Sequence, residues 1–308
     1  CSAGTLFIVA FNVIGSVFRG LGDSKMPLIT VAIACVTNIF GDLLLVDVFQ
    51  MGAVGAALAT VFAQAVSVIL SLLVIMRRKL PFTFRREQLR FDRPLTAGIL
   101  RLGIPIALQD VLVGVSFLVI LAIVNSLGLL QSAGMGIAEK VCAFVMLLPS
   151  AFSQSVSAFV AQNTGAGKPE RAKKALRYSV AVSLSISVFV FYFNFFHGDL
   201  LAGIFANDRA VVLEAADYLK AYAIDCLLTS FLFCFVGYFS GLGKTVFVMA
   251  QGILGAFGVR IPVSFAMSRL PNVRLFYIGL ATPCSTVVQV LLCLGYYAHL
   301  ARRERTAR

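Results

Sequence analysis

The sequence predicts an all-α polytopic membrane protein of about nine transmembrane helices. Three observations carry that prediction. Only 13% of the 308 residues are charged while 59% are hydrophobic, with a mean hydropathy of +0.93. A soluble chain carries about 25% charged residues, so there is too little polar surface here to cover a globule in water. Apolar stretches long enough to cross a hydrocarbon core about 30 Å thick, which takes roughly 20 residues of helix, recur along the whole chain. The charges, netting +12, collect in short segments between those stretches. That is how loops of a membrane protein are built, and it excludes nucleic acid as the partner that so basic a chain would otherwise suggest.

Taken in order, the predicted spans are 2–18, 27–47, 54–76, 99–125, 133–161, 178–196, 218–240, 246–268 and 275–298. If they alternate in direction, one set of connections holds Arg19, Lys25, the run from Arg77 to Arg93, the run from Lys168 to Arg177, Lys244 and the tail with Arg302, Arg303, Arg305 and Arg308. An excess of Lys and Arg marks the cytoplasmic side. The opposite set holds Asp47, Asp199, Asp208, Glu214 and Asp217. This partition predicts a multi-pass protein of the inner (cytoplasmic) membrane with a cytoplasmic C-terminus. The seven cysteines show no ligand spacing and read as small hydrophobes, so no metal is expected.

A segment recurs. Phe18-Arg19-Gly20-Leu21-Gly22-Asp23-Ser24 returns as Phe239-Ser240-Gly241-Leu242-Gly243-Lys244-Thr245, each time between a span entering the predicted cytoplasmic side and one leaving it. More faintly, the stretch from Gly52 to Gln64 echoes that from Gly279 to Gln289. Same-direction copies imply a parallel repeat of about six helices. On that period, residues 1–76 are the last three helices of a first lobe and 77–98 a basic cytoplasmic linker. Residues 99–298 are then a complete second lobe and 299–308 a basic tail. The repeat further predicts about 140 residues carrying three more spans ahead of Cys1.

The order and spacing of several motifs resemble the multidrug and toxic compound extrusion (MATE) family. They are Arg19-Gly20-Leu21-Gly22-Asp23-Ser24 with Pro27, then Asn38 and Asp42, then Gly52-Ala53-Val54-Gly55-Ala56-Ala57-Leu58-Ala59-Thr60. Next come Gly103-Ile104-Pro105 opening a helix, the run Gln162-Asn163-Thr164-Gly165-Ala166-Gly167-Lys168-Pro169-Glu170-Arg171-Ala172 closing the next, and Gly241-Leu242-Gly243. The resemblance implies the remnant of a twelve-helix (6+6) two-lobe transporter with a cavity between its bundles. It also implies export of small organic, often cationic, molecules in exchange for H+ or Na+, with no cofactor besides the coupling ion. Acids in the first and fourth helices of the second lobe, which the resemblance implicates in coupling, match Asp110 and Asp225 by helix though not cleanly by register.

An ionised side chain near the bilayer centre costs at least about 2.5 to 3.5 kcal/mol, so each needs a partner, a wet cavity or a proton. Asp110, at mid-depth of its predicted span, is the first candidate for coupling, followed by Asp225 and Glu139. If Glu139 is merely structural, it should pair with Arg260 or another nearby base. The expected cavity walls are Gln109, Phe117, Asn125, Phe144, Met146, Gln154 and Phe231, soft or amide side chains suited to organic cations. Residues expected to shape the helices and turns are Gly20, Gly22, Pro27, Asn38, Asp42, Pro105, Gly165, Gly241, Gly243 and Arg260.

Enzyme chemistry finds no support. Gly241-Leu242-Gly243-Lys244-Thr245 mimics the end of a phosphate-binding loop, but Tyr238 stands where that pattern needs Gly. His197 and His299 both lie near span ends, away from any catalytic cluster. The expected protein is therefore a monomeric cation-coupled exporter whose partners are the lipid bilayer and its small-molecule cargo. Two alternatives stay open. A lipid-linked oligosaccharide flippase would need several Arg or Lys in its cavity; a receptor or scaffold would lack the pseudo-symmetry between the Gly20 and Gly241 regions.

Overall fold

The computed structural model describes residues 4–77, 91–271 and 273–306 and divides into two units, Cys1–Phe91 and Asp92–Arg308. Among the described residues there is no strand. Of the residues assigned to the basic linker, 78–90 lie outside the described part, as does Cys1. The rest of that linker is mostly helix, because α4 (Arg93–Asn125) begins well before the predicted 99. Asp92 caps it by accepting the Leu95 N–H at 3.0 Å, with a proline in the first turn. Gly103-Ile104-Pro105 therefore does not open a helix. Pro105 is buried inside α4, and the start signal lies ten residues upstream at that cap.

The first unit holds α1 (Thr5–Gly20), α2 (Lys25–Asp42) and α3 (Gly52–Arg77). After Asp42 the helix widens into a π-helical stretch, Leu43–Val48. Eight helical segments are long and apolar enough to span a membrane; α1, at 16 residues, falls short of that length among the described residues. The second unit continues from α4 with α5 (Leu129–Gly165), α6 (Pro169–Phe196), the short α7 (Gly198–Gly203) and α8 (Arg209–Gly241). It ends with α9 (Thr245–Ile253), a π-helical stretch Leu254–Arg260, α10 (Ile261–Ser268), α11 (Leu275–Gly279) and α12 (Ala281–Thr306). Within it α8 is the axis: 61% of its most apolar window is buried, against 11% for the equally apolar α4. Hydropathy alone cannot tell a helix surrounded by protein from one surrounded by lipid.

Close packing around α8 rests on small residues. A Cβ at Gly237 would meet the Ser153 carbonyl oxygen at 2.4 Å, and one at Gly241 the Ser157 oxygen at 2.6 Å. Two glycines four apart thus face two serines four apart on α5, the small-xxx-small contact by which backbones approach in lipid. Asp217, assigned from sequence to an outer connection, is instead buried within α8. There it is ion-paired with Arg274 and accepts the Phe276 N–H at 3.2 Å, where α11 begins. Cys226, Cys234 and Cys293 are buried as expected, whereas Cys35 and Cys284 are exposed, facing outward on their helices.

The repeated turn is the same object in both places. At the end of α1, Leu21 N–H bonds to Val17 C=O, Gly22 to Arg19 and Asp23 to Phe18, at 2.9, 3.1 and 3.0 Å. At the end of α8, Leu242 bonds to Tyr238, Gly243 to Ser240 and Lys244 to Phe239, at 3.0, 2.9 and 2.8 Å. Gly22 and Gly243 take φ of 85° and 71°, and Phe18 and Phe239 are both buried beneath their turns. These are Schellman C-caps, which satisfy the last carbonyls of a helix by placing one left-handed residue after it. Gly20 and Gly241 are the final helical residues ahead of them. A third copy closes α5 after Gly165, through Gly167 at φ 70° with Lys168 N–H bonded to Asn163 C=O at 2.8 Å. A side chain at such a φ costs roughly 1–2 kcal/mol. Gly243→Val should accordingly lower the thermal midpoint of the detergent-solubilised protein, measured by scanning fluorimetry with a thiol-reactive dye, while Gly203→Ala, at an open position with ordinary φ, should leave it nearly unchanged.

Candidate functional site

The second unit contains a cavity of about 470 Å³ walled by α4, α5, α8, α12 and the π-helical stretch after α9. All three acids singled out from sequence line it: Asp110 from α4, Glu139 from α5 and Asp225 from α8. Each acid is carried by a different helix, which is why sequence spacing alone could not bring them together. Asp110 sits near the middle of the 33-residue α4 and Asp225 at the middle of the 33-residue α8. Glu139, ten residues into α5, lies roughly 15 Å from that helix's start.

Their surroundings differ. Asp225 is 1% exposed, and its two carboxylate oxygens accept hydroxyl hydrogens from Thr229 at 2.8 Å and Thr286 at 2.6 Å. Thr229 sits one turn along α8, while Thr286 reaches across from α12, so the carboxylate is fixed between two helices. Charge-assisted bonds of this kind hold a carboxylate in one orientation as an acceptor. Neither Asp110 nor Glu139 has a salt bridge within 4 Å among the described residues; Asp110 is exposed and Glu139 half-buried.

Glu139 does not pair with Arg260. That arginine, 6% exposed, donates from Nη1 to Ser116 Oγ at 3.3 Å and stacks its guanidinium 4.5 Å from the centre of the Phe117 ring. Its Nε is buried without a hydrogen-bond partner. A cation over an aromatic face recovers part of the hydration lost on burial, which explains how the charge is tolerated without an ion pair. Lys140, next along α5, is exposed and lies 5.9 Å from the Phe205 ring. Adjacent helix residues face different directions, and Lys140 takes no part in lining the cavity.

Of the expected walls, Gln109, Phe117 and Met146 line the cavity. Four do not. Asn125 is exposed at the end of α4 and accepts a hydrogen bond from Ser132 at 2.6 Å, tying α4 to α5. Phe144 is 67% exposed beside Phe205, and Gln154 is exposed on α5. Phe231 stacks on Phe235 at 4.8 Å within the packing around α8, and its neighbour Phe233 lines the cavity instead. Each miss is a matter of helix phase, about 100° per residue, which composition does not reveal.

The sequence reading also overlooked residues. Tyr218 and Tyr222 line the cavity from α8, and Thr282, Thr286 and Gln289 from α12. The signal was present: Thr282, Thr286 and Gln289 fall at i, i+4 and i+7, one face of an otherwise apolar helix. Gln289 also packs so closely on the π-helical stretch that a Cβ at Gly255 would lie 2.3 Å from its Nε2. In the first unit, Pro27 is buried in the first turn of α2. Asn38 Nδ2 and Asp42 Oδ1 are buried there without a hydrogen-bond partner.

Removing one donor from a buried carboxylate costs about 1–3 kcal/mol. Thr286→Val should destabilise the folded protein by that order, and Thr286→Ser should recover most of the loss, read as thermal midpoints in detergent.

Comparison with known proteins agrees with this architecture. The MatE family model matches residues 105–266. Among curated proteins, "Probable multidrug resistance protein YpnP" of Bacillus subtilis is 32% identical over 89% of this chain and 59% of its own length. "Probable multidrug resistance protein YoeA" of the same organism is 25% identical over 94% of this chain and 64% of its own. "Multidrug export protein MepA" of Staphylococcus saprophyticus is 27% identical over 86% and 58%. The chain thus spans about three fifths of the length of these relatives. Among solved structures, "Crystal structure of MATE in complex with MaL6" superposes with a TM-score of 0.91 at 17% identity, covering 98% of this chain and 69% of that one.

Proposed function

This chain belongs to the MatE family of multidrug efflux transporters, and from that premise we propose that it exports organic cations or related amphiphiles in exchange for protons or sodium by alternating access. The observation that carries the proposal is the convergence of Asp110, Glu139 and Asp225 on one cavity whose lining holds a single cation, Arg260. With all three carboxyls ionised, two negative charges stand without a counter-charge in a low-dielectric cavity, a state tolerated only with a proton or a cation bound. Those are the two kinds of coupling ion, and an organic cation competes for the same charge.

Within this reading the acids divide the work. Asp225, bonded to Thr229 and Thr286, is the fixed acceptor that orients whatever binds, while Asp110 and Glu139, without ion pairs among the described residues, exchange protons or sodium. Ion binding at these groups removes the cavity's attraction for a cationic cargo, and cargo release follows. Phe117, Met146 and Phe233 supply soft apolar contacts for the cargo's body. The excess of acids over bases argues against a lipid-linked oligosaccharide as cargo, since an anionic headgroup would meet carboxylates. The paired turns at Gly22 and Gly243 argue against a scaffold without transport.

Orientation follows from the basic residues. We place the Lys168 to Arg177 segment, Lys244 and the C-terminal end of α12 in the cytoplasm, with the protein in the cytoplasmic membrane.

Everted vesicles from cells expressing the protein should accumulate an organic cation such as ethidium when a proton or sodium gradient is imposed. Asp110→Asn, at unchanged expression, should abolish gradient-driven uptake; gradient-dependent uptake retained by that variant would remove Asp110 from the coupling step. Glu139→Gln should lower the dependence on the gradient more steeply than it lowers equilibrium binding of the cation to the purified protein.

A further inference from the structure

A second cavity lies at the opposite end of the helices from the start of α8, and neither the coupling reaction nor the exported cargo requires it. About 210 Å³ in volume, it opens between the first turn of α6, the turn joining α8 to α9, and the C-terminal end of α12. Each element contributes one cation: Lys173, Lys244 and Arg303 respectively. The walls between them are apolar, from Tyr238, Tyr297 and Leu300, with the two tyrosine rings meeting at 5.8 Å. Lys173 shares its ammonium with Glu170 at 3.3 Å, the acid recorded against this cluster. No carboxylate lines the cavity itself.

Three features make this more than a solvated basic surface. The cations come from three separate elements and converge on a concavity, where they repel one another unless an anion lies between them. Lys244 occupies the N-cap of α9, whose first turn has no side-chain cap, so the positive end of that helix opens at the cavity's edge. The apolar rings and Leu300 begin where the cations end. An anion received here would therefore meet charge at its head and hydrocarbon just below it.

We propose that this cavity binds the phosphate headgroup of an anionic phospholipid from the adjoining leaflet. Basic pockets between transmembrane helices at a membrane surface have the charge and position for that ligand. The bound lipid bridges α6, α9 and α12, and so holds the ends of three helices that the transport cycle must keep in register. A free inorganic anion would use the same three cations but gain nothing from Tyr238, Tyr297 and Leu300.

The test is native mass spectrometry of the full chain released from detergent in the presence of dioleoyl phosphatidylglycerol, dioleoyl phosphatidylcholine or inorganic phosphate. Phosphatidylglycerol should be retained about tenfold more than phosphatidylcholine, and the Lys244→Gln, Arg303→Gln double variant should bring the two lipids close to parity. The Arg171→Gln, Lys174→Gln variant removes the same charge from exposed positions on α6 outside the cavity and should keep the preference. Equal retention of both lipids by the unaltered chain would overturn the proposal. So would an equal loss of preference in both double variants, which assigns the effect to surface charge at large, or displacement of the lipid by millimolar inorganic phosphate, which assigns the cavity to a free anion.

Discussion

A charged side chain inside a lipid-solvated helix bundle must find water, a partner or a proton, and the second unit is arranged around how three carboxyls and one guanidinium meet that demand. Arg260 meets it with the Phe117 ring and the Ser116 hydroxyl. Asp225 meets it with two threonine hydroxyls. Asp110 and Glu139 have neither arrangement and face the cavity instead. Groups left open in this way are where an exchangeable ion binds most readily, which ties the energetics of the buried charge to the transport cycle proposed for it.

The backbone obeys the same rule. In lipid every main-chain polar group must be satisfied within the protein, so segments that leave the helical ladder need an internal answer. The three Schellman turns supply one, closing α1, α5 and α8 with the same pair of hydrogen bonds around Gly22, Gly167 and Gly243. The tight approach of Gly237 and Gly241 to Ser153 and Ser157 supplies the dense packing that replaces hydrophobic driving force between helices. Together they make α8 a rigid axis, on whose middle turn Asp225 is carried.

Much of this was legible in the sequence because composition and charge placement respond directly to the bilayer. Long apolar runs, basic connections and a repeated glycine turn all follow from the solvent, and the acids stood out because each is costly where it lies. Helix starts were less legible: α4 begins at a cap formed by Asp92, inside a stretch whose basic character suggested a loop, and Pro105 looked like a beginning while lying mid-helix. Side-chain direction was least legible. Asn125, Phe144, Gln154 and Phe231 have the right chemistry for a cavity wall but the wrong phase, whereas Thr286 was hidden by its ordinariness until its hydroxyl was seen on Asp225. A one-residue change of phase turns a side chain by about 100°, enough to exchange cavity for lipid.

The central claim is that cargo and coupling ion compete for the carboxyls of one cavity. Its most direct test is to mix the purified, weakly buffered protein with an organic cation such as tetraphenylphosphonium and record protons released with a pH indicator and sodium released with a sodium electrode. The account predicts release of one or the other on binding, lost when Asp110 and Glu139 are both replaced by their amides. Binding of the cation with neither ion displaced would contradict it.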